Sequence, residues 1–213
     1  MKASASIGEV YSETTYVPQF GLLTETQVRA KFFQFEQNVL YVGVTLQRQD
    51  KIKSDDQVLY SKNNRMMGVL GGRAQLWKSL TAFAEYRTEK RSRFGLYLGE
   101  IFEYQFKEVP LFSEVYVESV ALPSFDNSPV TTAWFKQGLR YRLSEKFIID
   151  PYAELYLRHS PKADLGRDTE QARLGVRGIY FFGAYSAQLL VYQSFEKHER
   201  DHEEALFVFG GEF

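Results

Sequence analysis

Apolar and polar residues alternate with period two along most of this 213-residue chain, and helical periodicity is almost absent. Over residues 146–158 one face reads Phe147, Ile149, Pro151, Ala153, Leu155, Leu157, and the other Ile148, Asp150, Tyr152, Glu154, Tyr156, Arg158. Residues 130–143 and 170–182 repeat the pattern. About twelve such segments follow one another, near 4–11, 20–33, 38–48, 64–76, 79–88, 93–106, 111–122, 130–143, 146–158, 170–182, 184–195 and 203–213. Most run well past the roughly 5–6 residues of a globular strand and match the roughly 9–11 that cross a bilayer at a tilt.

The connections alternate in length. Short ones fall at 34–37, 77–79, 107–110, 144–145 and 183, and longer polar ones at 12–19, 49–63, 89–92, 123–129, 159–169 and 196–202. Short turns on one side and long loops on the other belong to transmembrane barrels. The pattern predicts one all-β domain over residues 1–213, a transmembrane antiparallel up-and-down β-barrel of about twelve strands. An even strand number places both termini on the short-turn, periplasmic side.

The apolar face is nearly free of charge in every segment. Glu100 is the exception, on the face of Phe94, Leu96, Leu98, Phe102, Tyr104 and Phe106. Either a bulge at Gly99 turns it inward or it marks a protein contact. Pro151 also breaks the pattern, because a closed barrel has no free edge for a residue without an N–H. It is expected to sit at a local irregularity. Aromatics gather near both ends of the segments, as interfacial girdles require. Phe32, Phe33, Trp77, Phe106, Tyr141, Phe147, Phe182, Tyr185 and Phe213 mark the inner end, and Phe20, Tyr86, Phe94 and Phe195 the outer.

Composition removes several alternatives. A net charge of -1 without a basic run gives no reason to expect nucleic acid. The absence of cysteine excludes disulfides, thiol nucleophiles and zinc–thiolate sites. The mean hydropathy of -0.34 does not argue against a membrane, because barrel strands average polar and apolar positions. Met1-Lys2 leads straight into Ala-Ser-Ala-Ser with no apolar core, so the expectation is that Met1 starts a mature chain or excised domain.

The chain ends in Phe213, with Phe209, Phe207 and Ala205 at alternating positions before it. This resembles the C-terminal insertion signal of bacterial outer-membrane barrels. The resemblance implies the outer membrane as location, its lipids as surroundings and the barrel-assembly machinery as a partner. Gly211 stands where a larger apolar residue is usual. The stretch from Asp150-Pro151-Tyr152-Ala153-Glu154 through Tyr185 also resembles the C-terminal barrels of tetratricopeptide-containing exopolysaccharide exporters and phage N4 adsorption protein A. That implies polysaccharide export and a periplasmic domain or partner, although such exporter barrels are usually larger.

The inward face carries the candidate chemistry. Glu114 and Glu118 face Lys136, Arg140 and Arg142; these face Asp150, Glu154 and Arg158; these face Arg173 and Arg177. Acidic and basic strands thus alternate, and opposite charges across neighbouring strands attract. A second cluster holds Glu25, Arg29, Lys31, Arg73, Glu85 and Arg87, and Tyr97, Tyr116, Tyr152, Tyr156 and Tyr192 point the same way. Two readings stand: a ladder of ion pairs that fills the lumen, or a charged constriction selecting ions or sugar acids, with the tyrosines as a stacking track.

Three functions follow in order: a narrow, charge-lined transport or export pore, a non-conducting anchoring barrel, and a lipid-modifying enzyme. The third needs a nucleophile–base pair. The three histidines, His159, His198 and His202, all fall in predicted outer loops, and His159-Ser160 is the best pair available. His198 and His202 with Glu196, Glu199, Asp201 and Glu203, and Asp55-Asp56, read as solvated loops before they read as metal sites. No cofactor or metal is expected.

Overall fold

The computed structural model describes residues 7–17, 21–49, 65–88, 93–121, 129–160, 168–196 and 202–213. The strands are β1 (Gly8–Val17), β2 (Gly21–Phe35), β3 (Asn38–Gln49), β4 (Arg65–Trp77), β5 (Leu80–Arg87), β6 (Arg93–Phe106) and β7 (Val109–Ala121). They continue with β8 (Pro129–Leu139), β9 (Tyr141–Ser144), β10 (Phe147–His159), β11 (Thr169–Phe182), β12 (Tyr185–Glu196) and β13 (His202–Glu212). Each pairs antiparallel with its neighbour in sequence, except that β8 and β9 both pair with β10, and β13 returns to pair with β1 from Tyr16–Ala205 to Glu9–Glu212. The thirteen strands therefore close on themselves; β8 and β9 are two parts of one stave, which leaves twelve.

Period-two alternation becomes two unlike surfaces. Leu40, Val42, Val44 and Leu46 of β3 point outward and are 37–49% exposed, whereas Val39, Tyr41 and Thr45 between them are 4% exposed or less. Leu155 and Leu157 of β10, Leu174 and Val176 of β11, and Leu189 and Val191 of β12 extend the outer belt. So continuous an apolar skin is not tolerated by water and needs lipid.

The break at Arg140 has a cause in the sequence. Pro151 sits in β10 opposite it and has no N–H to give to the ladder. Bridges run from His159–Thr131 to Tyr152–Gly138, lapse, and resume at Ile149–Tyr141. On its other side the backbone N–H of Arg140 donates to the Pro110 carbonyl of β7 at 3.0 Å, in register with the β7–β8 ladder. The register is the same on both sides of the lapse, so Arg140 stays opposite Asp150.

Three expectations change. The first strand is Gly8–Val17, so residues 12–17 of the long first loop expected at 12–19 are strand. Sequence spacing alone misplaced it because Ser12, Thr14 and Thr15 are polar, yet Ser12 and Thr14 pair their hydroxyls with Thr26 (2.8 Å) and Thr24 (3.1 Å) of β2. No bulge turns Glu100 inward: β6 and β7 stay in register from Phe94–Ala121 to Phe106–Val109, and Glu100 is exposed on the outer face. The register does shift at Phe32 in β2, Leu76 in β4 and Leu143 in β9, and the first shift leaves both Phe32 and Phe33 exposed. His202 is not in a loop but begins β13.

Candidate functional site: the charged lumen

The lumen divides into two unlike walls. On the wall from β7 to β13, Asp150 of β10 is fully buried and accepts from Arg140 between β8 and β9 (Nη2 2.7 Å, Nε 3.1 Å) and Arg177 of β11 (Nη2 2.8 Å, Nε 3.1 Å). Two guanidinium forks on one carboxylate brace three staves. Arg177 also reaches across to Glu114 of β7 at 2.8 Å, and Arg140 to Glu103 of β6 at 2.6 Å. Lys136 lies 3.2 Å from Glu154, which accepts from Arg173 at 2.8 Å. Arg173 in turn lies over the rings of Tyr156 (4.1 Å) and Tyr192 (4.9 Å).

Beneath these charges lies an apolar cluster that sequence alternation did not single out. Phe112, Tyr152, Leu190 and Tyr192 pack together, with Leu206 and Val208 against them. Phe112 is 0% exposed and lies under the guanidiniums of Arg140 (4.7 Å) and Arg177 (5.2 Å). Gly138 and Gly175 make room for the Tyr152 ring. They are its partners on β8 and β11, where an added Cβ would come 2.9 Å from Tyr152 Cβ and 2.6 Å from Tyr192 Cβ. This side of the lumen is filled.

On the wall from β1 to β6 the hub is Glu85 of β5. It accepts from Arg29 (2.7 Å), Tyr41 (2.7 Å), Arg93 (2.6 Å) and Arg87 (3.1 Å). Three guanidiniums thus share one buried carboxylate. Glu9 of β1 bridges Arg29 (3.0 Å) and Arg73 (2.8 Å). Glu25 takes Gln27 (2.5 Å) and Gln47 (2.7 Å), and Lys31 meets Glu212 of β13 at 2.7 Å. Two cavities open on this side. One of about 710 Å³ is lined by Arg73, Gln75, Thr81, Tyr97, Glu114 and Tyr116 among others. The other, of about 340 Å³, is lined by Glu9, Tyr11, Gln27, Arg29 and Arg73 among others. Arg73 belongs to both linings.

All the charged residues expected on the inner face share it. Arg142 does so only at the rim, where its side chain is 58% exposed and pairs with Glu103. Glu118 sits opposite Tyr97 and Arg158 opposite Thr132. Tyr97 and Tyr116 join Phe83 and Trp134 in a row of rings with centroids 6.1, 6.4 and 4.0 Å apart. Missed were the partners that complete the network: Glu9, Glu103, Arg93, Tyr41 and Glu204. Glu103 and Arg93 share the parity of Tyr97 on β6 and Glu204 the parity opposite to Phe207 and Phe209 on β13, which was the available signal there; on β1 and β3 no expected lumen residue fixed the parity of Glu9 or Tyr41. Glu204 accepts from Tyr192 at 2.6 Å and contacts His202 Nε2 at 2.6 Å, so His202 lines the lumen.

His159 Nδ1 lies 3.1 Å from Asp168, which also accepts the Ser160 amide at 2.7 Å; these contacts close the base of a loop. No group of three potential metal ligands occurs among the described residues. Asp55-Asp56 and His198 lie outside them. In the C-terminal strand Ala205, Phe207 and Phe209 share the outer face, and Phe209 stacks on Tyr185 and Phe182 at 5.9 Å each. The Phe213 carbonyl takes the amides of Ile7 (2.7 Å) and Gly8 (2.9 Å) and so closes the seam with β1.

No protein-family model matches the chain, and no curated protein sequence matches it. Among solved structures, an outer membrane channel from Pseudomonas putida F1 is similar over 100% of this chain and 97% of that one, with 10% identity and a TM-score of 0.53. A KdgM porin (8% identity, 96% and 99% covered, TM-score 0.46) and a bacterial polysaccharide outer membrane secretin (9% identity, 99% and 99% covered, TM-score 0.45) align more loosely. At such identity only the first alignment carries weight, and it speaks to architecture: the chain has the fold of an outer-membrane channel.

Proposed function

We propose that this chain resides in the bacterial outer membrane, with both termini periplasmic, and forms a narrow, charge-lined transport or export pore. Polysaccharide is its candidate cargo. The observation that carries the reading is the pair of cavities sharing Arg73 in a lumen whose other wall is filled. Arginine, glutamine, carboxylate and tyrosine rings line the open side, a set that meets hydroxylated or acidic sugars as readily as hydrated ions. The polysaccharide assignment leans further on the likeness of the Asp150–Tyr185 stretch to exporter barrels. A non-conducting anchoring barrel is the second reading, favoured by the mutual pairing of the inner charges. A lipid-modifying enzyme finds less support, since His159 is engaged by Asp168 and no contact joins it to a nucleophile among the described residues.

Current through planar bilayers tests the proposal. The wild type conducts weakly. Arg73→Glu turns a cation into an anion beside both cavities and shifts the permeability ratio severalfold toward cations. Arg158→Ala, at the outer end of the filled wall, leaves the ratio within about twofold of the wild type by the same argument. Absence of current from correctly folded barrel removes the pore and leaves the anchoring role.

A further inference from the structure

Strand β6 is out of step with its neighbour. Its last bridge to β5 joins Leu98 to Leu80, yet β6 continues through Gly99–Phe106, eight further residues (99 to 106), bridged among the described residues to β7 alone. Other inner ends overhang by four residues: Phe32–Phe35 of β2, Ala74–Trp77 of β4 and Tyr141–Ser144 of β9. A tilted barrel staggers its strands by a few residues. The extra length at β6 is additional to that stagger.

Backbone geometry says which groups are left open. Lys107 and Glu108 both have positive φ (47° and 70°), as a two-residue type I′ hairpin turn demands. The flanking pair, Phe106 and Val109, then exchanges both hydrogen bonds, and bonded pairs alternate from there. Glu100, Phe102, Tyr104 and Phe106 therefore direct N–H and C=O toward β7. Gly99, Ile101, Glu103 and Gln105 direct theirs to the open side.

Hydrocarbon does not tolerate such an edge. Ser79, in the β4–β5 turn, donates to the Glu100 carboxylate, so the open edge starts at the level of that turn and runs on beyond it. All eight residues are exposed. Phe102, Tyr104 and Phe106 line one face at 53%, 42% and 61% exposure, and Ile101, Glu103 and Gln105 line the other.

We infer that the Gly99–Gln105 edge is the docking site for an extended segment of a periplasmic polypeptide. That segment adds as a strand beside β6 and sets alternate apolar side chains against Phe102, Tyr104 and Phe106. Only an extended peptide matches a row of alternating donors and acceptors; lipid does not. A second copy does not fit. Barrels side by side in one membrane are related by an axis along its normal, which crosses tilted strands instead of aligning them. The inference rests on the outer-membrane reading but not on conduction. Glu100, a charge on the outer face, then marks where the barrel wall ends and the docking edge begins.

Residue-resolved hydrogen exchange tests this, on the barrel in phospholipid nanodiscs and in outer-membrane preparations from its own host with the periplasm retained. In nanodiscs the amides of Ile101, Glu103 and Gln105 exchange at least about tenfold faster than those of Phe102, Tyr104 and Phe106, because only the latter are bonded to β7. In host membranes the fast set slows about tenfold or more. Ile101→Pro removes an open-side donor while sparing the β7 ladder, and it abolishes that slowing. A photocrosslinker at Gln105 joins the wild type, but not Ile101→Pro, to a periplasmic polypeptide. Equal exchange in both settings overturns the proposal. So does protection already present in nanodiscs, or crosslinks between copies of this chain only.

Discussion

The two walls of the lumen use the same residue types to opposite ends. On the β7–β13 wall, guanidiniums lie flat on Phe112 and grip Asp150 from both sides, and aromatic and aliphatic side chains take up the remaining space. On the β1–β6 wall, Glu85 is shared by three arginines, of which Arg29 lines the cavity of about 340 Å³, and Arg73 joins that cavity to the one of about 710 Å³. Charge inside a barrel is therefore no signature of a passage. A carboxylate satisfied by two forks above an apolar floor is a brace. Cations that outnumber the carboxylate they share, beside empty volume, leave a field that a passing solute feels.

Removing Asp150 is the largest test of that difference. Asp150→Ala leaves two buried guanidiniums without their common partner, and breaking a buried pair in this way costs about 3–5 kcal/mol. Thermal unfolding in micelles reads the loss. Ion selectivity should remain within about twofold of the wild type, because Asp150 lines neither cavity and reaches the larger one only through Arg177 and Glu114. A stable Asp150→Ala barrel with altered selectivity would erase the distinction between the walls.

Glu85→Gln sharpens the comparison from the other side. The amide keeps the volume, and its oxygen still accepts from Tyr41, but three arginines lose their counter-charge. Destabilisation of about 1–3 kcal/mol follows from weakened charge-assisted bonds. The larger consequence is in current, where the permeability ratio moves toward anions while Asp150→Ala leaves it in place. An unchanged ratio in Glu85→Gln would show that the Glu85 wall is a second brace.

The outer skin and the strand count were legible because lipid imposes a period-two rule on every residue that touches it; Leu40–Leu46 and Leu174–Val176 obey it without exception. The charged ladder was legible for the same reason, since parity alone placed Lys136, Asp150 and Arg177 inside. Which charges brace and which line a cavity was not legible. That depends on how far each side chain reaches across the lumen: Arg177 to Glu114 spans β7 to β11, and Arg29 to Glu85 spans β2 to β5. The filling by Leu190, Leu206 and Val208 was hidden too, because an apolar residue facing the lumen looks like a lapse in alternation. Nor does any local signal announce the β6 overhang, which exists only as a mismatch between two strands' lengths. Pro151 was the exception: one missing N–H foretold the lapse of bridges between β8 and β9.

The smallest effect sets the brace against its counterpart in water. Asp168 does at an outer loop what Asp150 does in the lumen, accepting the Ser160 amide at 2.7 Å and contacting His159 Nδ1 at 3.1 Å, but it is exposed. The Ser160 amide first, and the His159 ring after it, hold the Asp168 carboxyl below the usual carboxylate range. Its folded-state pKa is lowered, so the clasp is complete above the ordinary aspartate value of about 3.9 and is lost as pH falls through the lowered value. The Ser160 amide proton shift should therefore titrate with a midpoint below about 3.9, and Asp168→Asn should remove the titration without a measurable change in melting temperature. A fall in melting temperature as large as that of Asp150→Ala would mean that exposure does not separate clasp from brace. The weight given to burial in telling the two walls apart would then be misplaced.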